Sequence, residues 1–396
     1  MTERLYYTEG HLTTFDAHVV EVGELDGRFV AVLDRTAFYP TTGGQPHDVG
    51  TLGDRRVTDV VDREADGAVL HILDGPVDTG AVVSGAIDWT RRFDHMQQHT
   101  GQHVLSAAFL RVAGIATVSF HLGADLSTID LAGVPSPDVI AQAEDSANHV
   151  VWEDRPVTIR FVSGDEAARL PLRKEPVRGG TLRLVEVPDF DLSACGGTHV
   201  ARTGAIGVIA VQSWERYKGG TRVTFACGGR ALRQFRTARD VVAAAVRQLS
   251  IQPSELPDTV SRLQAESKTL RSEIRALSEQ LAVHEASALA AESEPLGGRR
   301  VVCRAMDGRD GAALKALAQA VASRPGHVAV LVSASRPALI VAARSADEAT
   351  DAGALVKALI ARFGGKGGGR PDGAQGGGLD AEPSVIVEAA REFLSR

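Results

Sequence analysis

Cysteine is scarce in this chain of 396 residues, with only Cys195, Cys227 and Cys303, in no pairing pattern. That scarcity excludes a disulfide framework and, with no charged-then-apolar leader at the N-terminus, points to a reducing cytoplasm. Aromatic residues make up only 5%. No apolar run approaches the roughly 20 residues that cross a bilayer, so membrane insertion is set aside. Positive charge is not in excess either. The net charge is −7, so a nucleic-acid partner has to be met by locally clustered basic residues. What is present, 44% hydrophobic and 23% charged residues, is the composition of a globular protein, and the length calls for two or three domains.

Against this background two short segments stand out, His99-Thr-Gly-Gln-His103 and Cys195-Gly-Gly-Thr-His199. Each spaces its end residues i,i+4, which puts them on one face of a helix or brings them together in a tight turn. Three imidazoles and one thiolate, His99, His103, Cys195 and His199, make a zinc-type donor set. Zinc closed by four protein ligands is structural, whereas a catalytic site needs an open position. In H-E-x-x-H metalloproteases the residue after the first histidine is the general base. Here that residue is Thr100, so the pair offers no carboxylate for that role, which speaks against a metalloprotease.

The first ninety residues alternate apolar and polar positions in bursts at 15–22, 29–33, 57–61 and 69–73, which reads as a small β-barrel-like domain over 1–90. Between the second and third bursts lies Phe38-Tyr-Pro-Thr-Thr-Gly-Gly-Gln-Pro46, a loop of glycines and hydroxyls able to approach a ligand closely. Residues 91–230 mix helical stretches (96–113 and 137–151) with strand stretches (157–162, 181–187, 206–213 and 221–226), an α+β zinc-binding domain holding both ligand pairs. From 231 to 294 the pattern is helical. Leu256, Val260, Leu263, Leu270, Ile274, Leu277 and Leu281 follow heptad steps that skip only Ser267. That seam serves either an antiparallel helical stalk folded back at Pro253 and Pro257 or a dimerising parallel coil. Residues 295–396 read as a small α/β domain, with strands over 301–305, 328–332 and 338–343, helices over 312–323 and 352–363, and a final apolar-patterned helix. Because that helix must dock, the glycine-dense run Gly364–Gly378 is expected to be an ordered loop, with Lys366 and Arg370 among its exposed amides. The fold class is therefore α+β overall.

At Phe38–Gln45, His99-x3-His103-Val-Leu, Cys195-Gly-Gly-Thr-His-Val200 and Gly364–Gly378 the chain resembles the editing and C-terminal domains of alanyl-tRNA synthetase and their freestanding relatives, the AlaX proteins, in the long, stalk-bearing form. The order of these blocks is the family's. A synthetase carries its aminoacylation domain ahead of this region, whereas this chain begins at the editing β domain. The resemblance thus implies a trans-acting, zinc-dependent hydrolase of mischarged Ser-tRNA(Ala), and of Gly-tRNA(Ala), that leaves Ala-tRNA(Ala) intact. It implies tRNA(Ala) as partner and the cytoplasm as location. Homodimerisation through the stalk or the C-terminal domain is compatible with it.

The chemistry expected is attack on the aminoacyl ester by zinc-bound water, aided by a ribose hydroxyl of the terminal adenosine or by a side chain that the sequence does not identify. Alanine is smaller than serine, so selectivity has to come from recognising the seryl hydroxyl rather than from a steric wall. Thr41 and Thr42 are the hydroxyls expected to do so, Thr41 first, with Gln45 orienting either the substrate amine or the loop. For tRNA phosphates the chain offers Arg91 and Arg92, then Arg230, Arg233, Arg236 and Arg239 at the start of the stalk, and Lys366 with Arg370. Three other readings compete: a non-catalytic zinc-containing RNA-binding protein, a phosphoesterase related through the glycine-rich C-terminal block, and an editor of the threonyl type.

Overall fold

The computed structural model describes residues 1–174 and 180–396, and these fold as two units, Met1–Gln248 and Leu249–Arg396. The boundary falls in the last turn of the first helix of the expected stalk, Gly228–Leu249. Among the described residues no helix is long and apolar enough to cross a membrane.

The first unit opens with a closed six-stranded barrel, in the order Thr14–Leu25, Arg28–Leu33, Ala68–Leu73, Arg55–Arg63, Gly50–Leu52 and Val82–Ile87. Alternation drives it: Phe15, Ala17 and Val19 are buried while their neighbours face water. The first two strands join through Asp26-Gly27, both at positive φ (50° and 73°). This is the turn whose twist matches paired antiparallel strands. Gly50–Leu52 and Val82–Ile87 complete the barrel, although the sequence pattern did not mark them. Phe38 and Tyr39 of the glycine-bearing loop are buried, and Phe38 packs edge-on to Phe15 in the barrel core.

A helix at Trp89–Ala113 runs through the rest of this unit, capped by Asp88, whose carboxylate accepts the Arg91 N–H at 3.1 Å. It ends at Gly114, which is left-handed at φ 66°. It starts earlier than its apolar pattern predicts, at Trp89 instead of Met96, so His99 lies in its third turn. From His95 to Phe109 it is buried nearly all round, as suits a central helix with a low amphipathic signal. Around it lie a four-stranded sheet (Ile209–Tyr217, Gly220–Cys227, Ser127–Leu131 and Thr117–Leu122), a three-stranded sheet (Thr158–Ser163, Thr181–Val187 and Asp191–Ala194) and a helix at Pro137–Trp152. The helix Gly228–Leu249 closes the unit.

The second unit begins with the helix Leu256–Ala291, whose last turns bury Ala282, Ala286 and Leu289 against Leu314, Leu317 and Val321 of the helix Gly311–Ala322. Its heptad residues Val260, Leu263, Leu270, Ile274, Leu277 and Leu281 are exposed. A six-stranded sheet follows, in the order Glu294–Leu296, Arg299–Met306, His327–Ser333, Ala338–Arg344, Gly373–Leu379 and Lys366–Arg370. The helices Ala352–Phe363 and Pro383–Leu394 cover it through Leu355, Leu359, Ile386 and Leu394. The glycine-dense run is thus not a loop but the last two strands of this sheet, pairing Lys366 with Gly377 and Arg370 with Gly373. Backbone pairing needs no side chains, which is why composition concealed it.

Candidate metal centre

The i,i+4 step on the central helix sets the His99 and His103 rings 5.3 Å apart. The Cys195–His199 turn, which follows the strand Asp191–Ala194, brings the His199 ring to 4.6 Å from His99 and 4.8 Å from His103. Cys195 Sγ lies 3.3 Å from Nε2 of both His99 and His199. One ligand atom from each of the four residues falls within 4.8 Å of all the others. Gly197 makes the approach possible, because a Cβ there would sit 2.1 Å from Cε1 of His99. The three histidines are buried and Cys195 is half-buried.

Each imidazole is oriented through its other nitrogen. Nδ1 of His99 is 2.8 Å from Gln45 Oε1, Nδ1 of His103 is 3.0 Å from Asp191 Oδ2, and Nδ1 of His199 is 3.2 Å from Thr100 Oγ1. With Nδ1 of each ring engaged by these partners, Nε2 is the nitrogen turned toward the other rings, the arrangement of metal-ligating histidines with outer partners. The partners are themselves fixed. Gln45 Oε1 also accepts the Thr198 N–H at 3.1 Å, and Gln45 Nε2 donates to Thr198 Oγ1 at 2.9 Å. Asp191 accepts from Arg173 Nε at 2.6 Å and from the Ser193 hydroxyl.

The electrostatics suit a thiolate. Burial pushes the Cys195 thiol up, but the facing imidazoles of His99, His199 and His103 more than reverse this and hold it well below its ordinary value. Burial would lower His103; the Cys195 sulfur and Asp191 instead raise it to about 9. His199, for which burial dominates, falls to about 3. Asp191 is held at about 2, because His103 and Arg173 outweigh its burial. A set of three neutral-capable nitrogens and one sulfur, with no oxygen ligand, fits zinc better than oxygen-preferring metals such as manganese.

The structure distributes the other expected site residues unevenly. Gln45 is wholly buried, its side chain engaged with His99 and Thr198. Thr41 is exposed, its Oγ1 accepting the His47 N–H at 3.1 Å and lying 3.0 Å from His47 Nδ1. Thr42 is half-buried and its carbonyl accepts the Tyr39 hydroxyl at 3.2 Å. Arg91 donates from Nε to the His47 carbonyl at 2.9 Å.

Arg92, expected at a tRNA phosphate, is instead wholly buried, paired with Asp48 and donating to the carbonyls of Gly10 and Ala37. Its charge and its donors are satisfied inside the protein. Arg230 is likewise buried on Asp94. Arg233 and Arg236 are exposed on the helix Gly228–Leu249, as are Lys366 and Arg370 on the edge strand of the second unit. Sequence reasoning missed the roles of Thr100, Thr198 and Asp191. The two threonines sit inside the ligand motifs and could have been suspected; Asp191 carried no local signal.

Two family models match the chain: the Threonyl and Alanyl tRNA synthetase second additional domain, at residues 182–224, and the DHHA1 domain, at residues 298–396. The alanine–tRNA ligase of Halorubrum lacusprofundi is 38% identical over 407 residues, a match covering 99% of this chain and 44% of that protein. That of Pyrococcus abyssi is 34% identical over 392 residues, covering 95% of this chain and 42% of that protein. The chain therefore spans less than half the length of these curated relatives. The crystal structure of the C-Ala domain of Aquifex aeolicus alanyl-tRNA synthetase covers 26% of this chain and 98% of that one, at 24% identity and a TM-score of 0.25.

Proposed function

For a chain that resembles the editing and C-terminal domains of alanyl-tRNA synthetase along nearly its whole length, we propose a trans-editing hydrolase that deacylates Ser-tRNA(Ala), and Gly-tRNA(Ala), while sparing Ala-tRNA(Ala). The single observation that carries this reading is the convergence of His99, His103, Cys195 and His199, each imidazole fixed through Nδ1. These four residues would hold zinc, which when bound supplies Lewis-acid polarisation of the ester.

The chain's own residues do the rest. Gln45, Asp191 and Thr100 keep the three rings in one tautomer and one orientation. Cys195 is the only half-buried residue of the four. Asp191 is already engaged by His103, Arg173 and Ser193, so it is not free to act as a general base. A hydroxyl of the terminal ribose would then assist by hydrogen-bonding and orienting the attacking water, and a 2′-deoxy terminus should slow hydrolysis strongly. Serine is told from alanine by a partner for its hydroxyl, because polar groups built to bond it are left unpaired by alanine. Thr41 and Thr42, on the loop that Gln45 ties to His99, are the candidates.

The test is deacylation of Ser-tRNA(Ala), Ala-tRNA(Ala) and Ser-tRNA(Ser) by the purified chain, with zinc content measured on the same sample. Selective loss of the first supports the proposal. A folded, zinc-loaded sample that hydrolyses none of them would leave the four-ligand site as a closed structural zinc in an RNA-binding protein.

A further inference from the structure

Among the described residues of the first unit three arginines are buried: Arg92, Arg183 and Arg230. Two of them have carboxylate partners, Asp48 at 2.5 Å from Arg92 and Asp94 at 2.6 Å from Arg230. Arg183 has none within ion-pair distance among the described residues, and its Nη2 has no hydrogen-bond partner there. A guanidinium taken out of water without a counter-charge is costly, so its retention calls for a compensating role.

Its contacts converge on one residue. Nη1 donates to the Cys195 carbonyl at 2.6 Å, and the Cys195 N–H donates to the Arg183 carbonyl at 3.0 Å. Both backbone polar groups of the ligand cysteine are thus held by the same residue. Nε reaches across to the Tyr7 carbonyl at 2.9 Å, and the guanidinium carbon lies 5.6 Å from the Tyr7 ring centre. The strand Thr181–Val187 carrying Arg183 pairs with Asp191–Ala194, which leads directly into Cys195. The acid-forming groups facing the guanidinium are the Cys195 thiol and the phenols of Tyr6, Tyr7 and Tyr39.

We infer that Arg183 is a positioning residue of the metal centre, bracketing the backbone of Cys195 and placing a cationic side chain against the carbonyl of that residue. A planar fork that bonds two carbonyls from separate segments is a geometry lysine cannot reproduce. The inference rests on the metal-holding part of the reading above and is independent of the substrate.

The experiment is zinc affinity by chelator competition on the full chain, for the parent, R183K, R183M and C195S, and for R183K combined with C195S, with thermal melts of the metal-free proteins alongside. Outer partners of metal ligands typically change affinity 10–100-fold. R183K is expected to weaken zinc binding at least about tenfold in the parent and less than about twofold in the C195S background, since the effect passes through that ligand. Parental affinity in R183K overturns the inference, as does an equal loss with and without Cys195, which a merely structural residue would give. Should R183M fail to fold, R183K and the cycle decide alone. A parent that takes up no zinc overturns the metal reading and this inference together; a parent that binds zinc while R183K matches it overturns the inference alone.

Discussion

The side-chain carbonyl of Gln45 lies 2.8 Å from Nδ1 of His99, joining residues 54 positions apart. The contact ties the glycine-bearing loop of the barrel to the ligand helix. Residues expected to touch substrate and residues expected to hold metal are therefore one mechanical unit within Met1–Gln248.

Gln45→Leu should accordingly act through the metal. Zinc affinity is expected to fall about 10–100-fold, the usual cost of losing an outer partner. Hydrolysis should recover when excess zinc is supplied. A variant with parental affinity and a raised KM for the aminoacyl-tRNA would instead place Gln45 at the substrate.

Thr41→Val should lower kcat/KM for the seryl ester about tenfold, the worth of one hydrogen bond lost to a polar group. Because Thr41 Oγ1 also accepts the His47 N–H, Thr41→Ser provides the control: it keeps that bond and should recover most of the rate. Binding of uncharged tRNA should not change in either variant. Equal seryl rates in Thr41→Val and parent would remove the residue from recognition.

Basic residues should divide into two kinds. Arg92→Met leaves Asp48 buried without its counter-charge and should cost about 3–5 kcal/mol of stability, read from the denaturant midpoint. Lys366→Ala and Arg370→Ala, both at exposed positions, should leave that midpoint in place. Each is expected to reduce the salt dependence of tRNA binding by about one unit of slope. An unchanged slope in the double variant would mean that the glycine-rich edge does not meet phosphate.

His71 gives the pH dependence. It is wholly buried in the barrel, with Nδ1 3.1 Å from the Ala31 carbonyl and Nε2 2.8 Å from Thr36 Oγ1; burial lowers it from 6.5 to about 4, partly offset by the Ala31 carbonyl. The unfolded chain binds this proton between those two values and the folded chain does not. Stability is therefore full above pH 6.5 and declines as pH falls toward 4, by about 3 kcal/mol in total for this group. Denaturant melts from pH 7 to 4 should show a shallower decline in His71→Gln than in the parent. Parallel profiles would mean that the buried imidazole takes up its proton without unfolding.

The pairing within each motif was legible because the two residues lie four positions apart, a distance over which a helix or a tight turn fixes geometry by itself. Most of the long strands and helices were legible for a similar reason, since apolar periodicity is a local property. The start of the ligand helix was not, because the turn at Trp89–Arg92 is set by the Asp88 cap and by contacts with the barrel, not by an apolar stripe. The glycine strands were hidden because a residue without a side chain leaves no periodicity to read.

By itself, then, the sequence determined that three imidazoles and a thiolate are available at helix and turn spacing, and that a heptad-patterned helix and a small α/β domain follow. Tertiary structure alone decided how those donors are used. Gln45 meets His99 across 54 positions and Asp191 meets His103 across 88. It also decided that Arg92 is an internal ion and that Arg183 is a buried cation with no carboxylate partner among the described residues. The physical reason is that burial and hydrogen-bond partnership are properties of packed surfaces. Arginines of identical chemistry can therefore end exposed to water, at a buried aspartate or beside a cysteine, depending on which segments the fold closes around them.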